Sequence, residues 1–184
     1  MREILYPFKD YARSVTPREF RFVTLPPLIL GILGVGLGIL FPSLMPSTGI
    51  KDLLSYIISL MAILIGFTLT CLVILTTSAS ENVRKLQSTR DERPVRQGES
   101  LSVYQVILAQ FAFGLLLEFS CLAINIIYEF ALTSNHLFRI RIYFLVVDFI
   151  FVLGVLLLNM TNIASFYLVF WPDNLNAEEG PKPL

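Results

Sequence analysis

Charged residues are scarce in this chain of 184 residues. Only 15% of its residues are charged and 55% are hydrophobic, with a mean hydropathy of +0.70. Because soluble domains carry about 25% charged residues, the composition disfavours a soluble enzyme, a basic nucleic-acid-binding module and a disordered chain. An integral membrane protein accommodates the excess of apolar side chains.

Cysteine and histidine are also rare. Cys71 and Cys121 both lie inside apolar segments, and His136 is the single histidine. A disulfide framework or a zinc site needs more cysteines, closer spacing or neighbouring histidines, so both cysteines are interpreted as buried apolar side chains. The sequence offers no combination of nucleophile, base and oxyanion donors, no phosphate loop and no dinucleotide fingerprint. We therefore expect no enzyme activity, no metal site and no cofactor.

Long apolar segments are what the sequence has instead. A hydrocarbon core of about 30 Å is crossed by about 20 helical residues, and no segment shows the sustained alternation of a barrel strand. The sequence therefore predicts an all-α membrane protein with four transmembrane helices. The four spans cover residues 23–45, 53–79, 104–132 and 142–170.

The ends of these spans carry local signals. Thr16, Pro17 and Glu19 form a capping pattern that predicts the start of a helix, and Pro26-Pro27 is expected to break or redirect it. The whole chain is expected to form an amphipathic segment in the headgroup layer, a transmembrane domain and a disordered tail, over residues 1–22, 23–171 and 172–184.

A polar linker over residues 80–103 interrupts the transmembrane domain. Its early part, residues 81–88, is expected to continue the second helix beyond the membrane. Ser102 and Gln105 resemble a capping box, which predicts that the third helix begins there.

Lysine and arginine are unevenly distributed among the five segments outside the spans. If both termini are cytoplasmic, eleven of the 14 basic residues lie inside and three outside. Short loops that carry positive charge stay on the cytoplasmic side. The sequence therefore predicts that both termini and the linker are cytoplasmic.

Small residues line one face of each of the first two spans, where they allow helices to approach closely. Packing within the chain is favoured over contact between subunits, because short runs of small residues are common in membrane helices. These helix-packing residues are Gly31, Gly34 and Gly38 on the first span and Ser59, Gly66 and Thr70 on the second.

Polar residues occur inside the third and fourth spans. Glu118 follows Tyr104 by 14 residues, about 21 Å along a helix, so it is expected near the middle of the bilayer. One interpretation is a wetted axis or proton-sensitive switch; the other is a protonated carboxyl that bonds to a facing asparagine and fixes helix register. The predicted intramembrane polar axis comprises Gln110, Glu118, Asn125, Asn159 and Asn162.

Charged residues near the ends of the spans form two further groups. An outer ion-pair cluster that joins the third and fourth helices is favoured over a substrate site, and it comprises Glu129, Arg139, Arg141 and Asp148. The linker mixes basic and acidic residues, which favours docking to a folded partner over nucleic-acid binding, with anionic lipid headgroups as the alternative. Its basic residues are Arg84, Lys85, Arg90, Arg93 and Arg96.

The chain runs from Leu64–Thr68 to Thr76–Ser80 and then through a charged linker to Gln105–Phe111. This arrangement resembles the small membrane subunit (KwaA) family of the Kiwa bacterial antiphage defence system. The resemblance covers roughly residues 53–130 and rests on the arrangement of segments more than on a diagnostic motif. It implies a homo-oligomer, a tetramer, in the bacterial inner membrane. It also implies that the subunit senses phage attachment and binds a soluble DNA-binding effector, KwaB. No catalytic residues are carried over.

Two functions are therefore compared. The favoured one is an oligomeric sensor or scaffold that contacts membrane lipids, signals to a cytoplasmic effector and does not itself bind nucleic acid. The alternative is an ion-conducting pore, which would depolarise the membrane through a lumen lined by Glu118, Asn125, Asn159 and Asn162.

Overall fold

The computed structural model describes Tyr11, Val15 and residues 17–40, 47–89, 101–132 and 141–170. Every regular element in these ranges is an α-helix, which confirms the predicted all-α class. The helices are α1 (Pro17–Leu40), α2 (Ser47–Thr77), α3 (Glu81–Ser88), α4 (Val103–Leu132) and α5 (Arg141–Phe170). The predicted tail over residues 172–184 lies outside the described residues.

Three of the helices are long and apolar enough to cross a membrane. These stretches are Lys51–Thr77, Val103–Phe130 and Phe144–Tyr167, with mean hydropathies of 2.7, 2.0 and 2.4. Large apolar side chains point outward from them; Ile63 is 69% exposed and Ile127 is 67% exposed. An apolar surface of this extent suits contact with lipid rather than water. In α1 the corresponding stretch among the described residues is shorter, Phe20–Gly34.

Helix α1 passes through Pro26-Pro27 without interruption. The expectation that this pair breaks the helix is therefore wrong. The two prolines lack the N–H groups that would donate to the carbonyls of Phe22 and Val23. In an apolar helix this loss is tolerated where neighbouring groups satisfy the freed carbonyls.

Helix α3 has the predicted bounds, but it does not continue α2. Helix α2 ends at Thr77, and Ser80 adopts an extended conformation with its hydroxyl accepting a hydrogen bond from the Val83 amide at 3.4 Å. An N-cap of this kind starts a new helix. The expected continuation is therefore wrong.

The predicted capping box opens α4. The Gln105 amide N–H donates to Ser102 Oγ at 3.2 Å, and the Ser102 N–H donates to Gln105 Oε1 at 2.9 Å. Two amide groups at the helix end are thus satisfied reciprocally. Tyr104 then donates its hydroxyl to the Leu75 carbonyl at 3.2 Å, which joins the start of α4 to the end of α2.

Helix α4 packs antiparallel to both α2 and α5 around three apolar clusters, and α1 packs mainly on α5. The clusters succeed one another along the bundle. The first contains Cys71, Leu75, Val83, Ile107, Phe111 and Val169; the second Ile57, Met61, Cys121, Val152 and Val155; the third Leu54, Tyr128 and Leu145. Both cysteines are free and buried, as predicted.

Gly31 is where α1 approaches α5 most tightly among the glycines described. A Cβ atom at this position would overlap the Ile150 side chain, whereas a Cβ at Gly34 would meet nothing within 4 Å. Packing within the chain is therefore the role of Gly31. Gly34 is only partly buried, and the surroundings of Gly38 lie outside what the structure describes.

We expect Gly31→Val to lower the free energy of unfolding by about 1–3 kcal/mol, because the added methyls force Ile150 or α1 to move. Thermal unfolding of the protein in detergent measures the change. Gly34→Val is the matched control and should unfold within a few tenths of a kcal/mol of the parent, a magnitude usual for uncrowded sites. A similar loss at both positions would contradict the proposed contact, and Ile150→Ala should partly rescue Gly31→Val.

Candidate functional site

Glu118 lies at the centre of a buried hydrogen-bond network between three helices. It is 0% exposed and is the sixteenth of the 30 residues of α4. Its Oε1 accepts a hydrogen bond from Thr68 Oγ1 on α2 at 2.7 Å and another from Asn159 Nδ2 on α5 at 2.7 Å. The Thr68 hydroxyl also lies 3.2 Å from Asn159 Oδ1, although its single proton serves one acceptor at a time. All three helices thus meet at one carboxylate oxygen.

The other oxygen of this carboxyl, Glu118 Oε2, is buried with no hydrogen-bond partner among the described residues. On α5, Asn162 lies about one helical turn from Asn159. It is 1% exposed, and neither its Nδ2 nor its Oδ1 has a hydrogen-bond partner among the described residues. Asn162 Nδ2 lies 2.8 Å from the position that a Cβ on Gly114 would take. Glycine at 114 therefore makes room for a polar side chain inside the bundle.

A second polar contact lies closer to the end of the bundle opposite α3. Asn125 Nδ2 donates to Asp148 Oδ1 at 2.8 Å and to the Cys121 carbonyl at 2.9 Å. Asn125 is 0% exposed and Asp148 is 5% exposed. Helices α4 and α5 are therefore joined by two polar contacts, 118–159 and 125–148, with the second apolar cluster between them.

These contacts define the register of the helices. A one-residue rotation of α5 would remove Asn159 from Glu118 and Asp148 from Asn125 together, leaving buried polar groups without partners. The hydrogen bond from Asn159 to Glu118 is the one that the register interpretation of Glu118 predicts. Together the two polar contacts fix which faces of α4 and α5 meet.

Most of the predicted polar axis is brought together, with two changes. Glu118, Asn125, Asn159 and Asn162 are all buried, whereas Gln110 is half-buried and takes no part in the network of the described side chains. Asp148, a member of the predicted outer ion-pair cluster, lies in the interior, because its carboxyl accepts a hydrogen bond from Asn125.

Of the remaining residues of the outer cluster, the structure describes the side chain of Glu129 alone. Glu129 is exposed, Arg139 lies outside the described residues, and α5 begins at Arg141, whose side chain is likewise outside them. An ion pair between these arginines and an acid stays a prediction.

Thr68 is the functional residue that sequence reasoning missed. The helix-packing stripe predicted on α2 faces outward instead, since Ser59, Gly66 and Thr70 are all exposed. The hydroxyls of this stripe bond within their own helix, Ser59 to the Ser55 carbonyl at 2.9 Å and Thr70 to the Gly66 carbonyl at 2.8 Å. The prediction that this stripe packs within the chain is therefore wrong.

A signal for Thr68 was present in the spacing of α2. Leu54, Met61, Thr68 and Leu75 recur every seven residues and are all buried. A heptad of this kind marks one face of a helix, and Thr68 is its single polar member.

Helix α3 carries the described part of the predicted docking group. Arg84 and Lys85 are exposed, and Lys85 Nζ lies 3.4 Å from Glu81 Oε1 in a solvent-exposed pair that contributes little to stability. Arg90, Arg93 and Arg96 lie outside the described residues. Within those residues, no group of three histidine, cysteine or acidic side chains could hold a metal ion.

No family model, curated protein or solved structure matches this chain.

We expect Thr68→Val to destabilise the bundle by about 0.6–1.7 kcal/mol, the range measured for hydrogen bonds between membrane helices. The substitution keeps the volume and removes one of the two donors to Glu118 Oε1. Denaturant unfolding in mixed micelles measures the loss. Thr70→Val is the matched control on the same helix and should be nearly neutral, because its hydroxyl is exposed and bonded to its own backbone. Equal effects of the two substitutions would contradict the assigned network.

Proposed function

We propose that this protein is a non-catalytic subunit of the bacterial inner membrane that forms an oligomer and docks a soluble effector on its cytoplasmic side. In this proposal the chain crosses the membrane four times and both termini are cytoplasmic. The observation that carries it is the attachment of α3, a charged helix, to one end of the apolar bundle.

Helix α3 is held to the bundle by its apolar side. Val83 is 2% exposed and belongs to the same cluster as Cys71 of α2, Ile107 of α4 and Val169 of α5. Leu86 packs against this cluster as well. A movement of α4 or α5 would therefore displace α3, and with it the exposed Arg84 and Lys85.

The opposite face of α3 suits a partner in water. Its exposed residues combine both signs of charge, as the linker that follows it does. Mixed charges steer and orient a folded partner through complementary potentials. We therefore place the docking surface on α3 and the linker, with Arg84, Lys85, Arg90, Arg93 and Arg96 as its basic residues.

The fourth span in this proposal is α1. Its 24 residues would extend for about 36 Å, which exceeds the hydrocarbon thickness of about 30 Å. Gly31 seats α1 against α5, so α1 runs beside a helix that is long enough to span. The excess of basic residues before α1 and in the linker favours the cytoplasm for both segments.

Oligomer formation is assigned to the exposed stripe of α2. The hydroxyls of Ser59 and Thr70 are already bonded to carbonyls of their own helix, and a Cβ at Gly66 would meet nothing within 4 Å. A surface of small residues lets the backbone of another helix approach closely in lipid. Four subunits, phage sensing and a DNA-binding effector are what the Kiwa resemblance adds to the proposal.

A pore through the chain's own polar residues is less favoured. Glu118, Asn125, Asn159 and Asn162 are each at most 3% exposed and lie between helices of a single chain. A lumen along them would have to separate Glu118 from Asn159 and from Thr68. The hydrogen bonds at 2.7 Å would be lost in that opening.

The topology is tested with reporter fusions. We expect a fusion at residue 90 and one at residue 184 to report the cytoplasm, and a fusion at residue 46 to report the opposite side. We expect a tag at the N-terminus to report the cytoplasm as well. A three-span arrangement, with α1 on the membrane surface, keeps residue 46 opposite residue 90, because α2 lies between them, but it puts the N-terminal tag on the same side as residue 46. That result would contradict the four-span proposal.

The docking surface is tested by reversing its charges. Arg84→Glu with Lys85→Glu should reduce co-purification of the proposed soluble effector by about tenfold or more, since like charges that face each other at an interface cost over about 1.4 kcal/mol. Protection of the host against phage should fall in parallel, while the membrane level and the oligomer size stay unchanged.

Gln87→Glu, an exposed change on the same helix, is the matched control and should retain both properties. Unchanged co-purification in the reversed variant would contradict docking on α3. Ion flux through proteoliposomes of the purified protein, abolished by Glu118→Ala, would favour the pore instead.

A further inference from the structure

A large cavity lies between α1, α4 and α5, away from the Glu118 network. Its volume is about 740 Å³ and it is partly open to the surroundings. Aromatic side chains form much of its wall, including Phe113 and Tyr128 on α4 and Phe144 and Phe151 on α5. Concave apolar sites of this volume are typical of binding sites for small amphiphilic or apolar molecules.

Among the described residues that line this cavity, Asp148 is the single charged side chain. The hydrogen bond from Asn125 engages Oδ1, and a carboxylate has acceptor sites for several donors. Its described partner is a neutral amide, which brings no positive charge to the carboxyl, and an ammonium donor placed against it would favour the ionised form. A ligand with an apolar body and a cationic donor group complements this wall in both shape and charge.

The depth of Asp148 fits the headgroup region of a lipid. It is the eighth of the 30 residues of α5, about 10 Å from the start of a helix about 45 Å long. If α5 is centred in a hydrocarbon core of about 30 Å, Asp148 lies within one helical turn of the boundary. The cavity continues along α5 to Leu158, about 15 Å deeper towards the middle of the bilayer.

From this geometry we infer a binding site for an amphiphile with a primary ammonium head, such as phosphatidylethanolamine. The ammonium donates to Asp148 at the boundary, and one acyl chain lies along the aromatic wall towards Leu158. This inference is independent of the docking surface on α3, because Asp148 and its cavity lie closer to the end of the bundle opposite α3.

Gly154 provides a way to fill the cavity without touching Asp148. It lines the cavity, and a Cβ there would meet nothing within 4 Å. Gly154→Leu should therefore fold and occupy the path of the acyl chain. Gly34→Leu is the matched control, because Gly34 is equally uncrowded and is not among the residues that line the cavity.

The test uses the purified full chain in a nonionic detergent, with lysophosphatidylethanolamine as the probe. Titration should raise the melting temperature of the parent by several degrees, through binding to the folded state. Lysophosphatidylcholine, whose quaternary ammonium has no N–H, and lysophosphatidylglycerol, which has no ammonium, should shift it much less.

Asp148→Asn should weaken the apparent affinity for lysophosphatidylethanolamine by about tenfold, the value of a hydrogen bond to a charged group. It keeps an acceptor for Asn125, so the fold is retained. Asp52→Asn, an exposed acid at the same end of the bundle, should have no effect.

Gly154→Leu should abolish the shift and Gly34→Leu should keep it. Equal shifts with all three lipids would overturn the inference and favour Arg139 or Arg141 as the partner of Asp148. A shift that survives Gly154→Leu would place the lipid elsewhere and overturn it as well.

Discussion

Polar groups that leave water must find hydrogen-bond partners inside the protein, and this constraint organises the bundle. In an apolar interior an unpaired carboxyl or amide costs several kcal/mol. Helices α2, α4 and α5 meet this demand together, because Glu118 Oε1 accepts from both Thr68 and Asn159. Glu118, a fully buried carboxyl, is thereby the residue that joins three helices. Hydroxyls on the outer surface, such as that of Thr70, meet the same demand alone by bonding to their own helix.

The two polar contacts between α4 and α5 have different surroundings and therefore different capacities. Glu118 with Asn159 is enclosed by packed helices, so this contact holds register. Asp148 with Asn125 borders a cavity whose described wall is mostly apolar, so the same chemistry there is open to a ligand. Between the two contacts lies a layer of apolar side chains, which holds the helices together as one packed unit. Helix α3 is attached to that unit through Val83, and the charged surface on α3 is consequently tied to the interior.

Hydropathy alone could not identify the buried face of α2. The helix is apolar on all sides, because one side meets lipid and the other meets protein, and both exclude water. Small residues predict close approach, and for Gly31 this is confirmed by its contact with Ile150. On α2 the small residues point outward, and the bulky heptad of Leu54, Met61 and Leu75 is buried instead. Bulky side chains fill the space between α2, α4 and α5, which leaves the small ones for an outer surface.

The sequence by itself determined the all-helical class, three apolar helices, the bounds of α3 and the capping box at Ser102 and Gln105, because these depend on composition and on neighbours a few residues apart. It also singled out Glu118, Asn125, Asn159 and Asn162, because a polar residue in an apolar run stands out without any fold. Only the tertiary structure decided that Thr68 joins Glu118, that Asp148 turns inward to Asn125, and that a cavity lies between α1, α4 and α5. The two contacts link residues 50 and 23 positions apart, and their partners are chosen by how helices pack rather than by any local pattern.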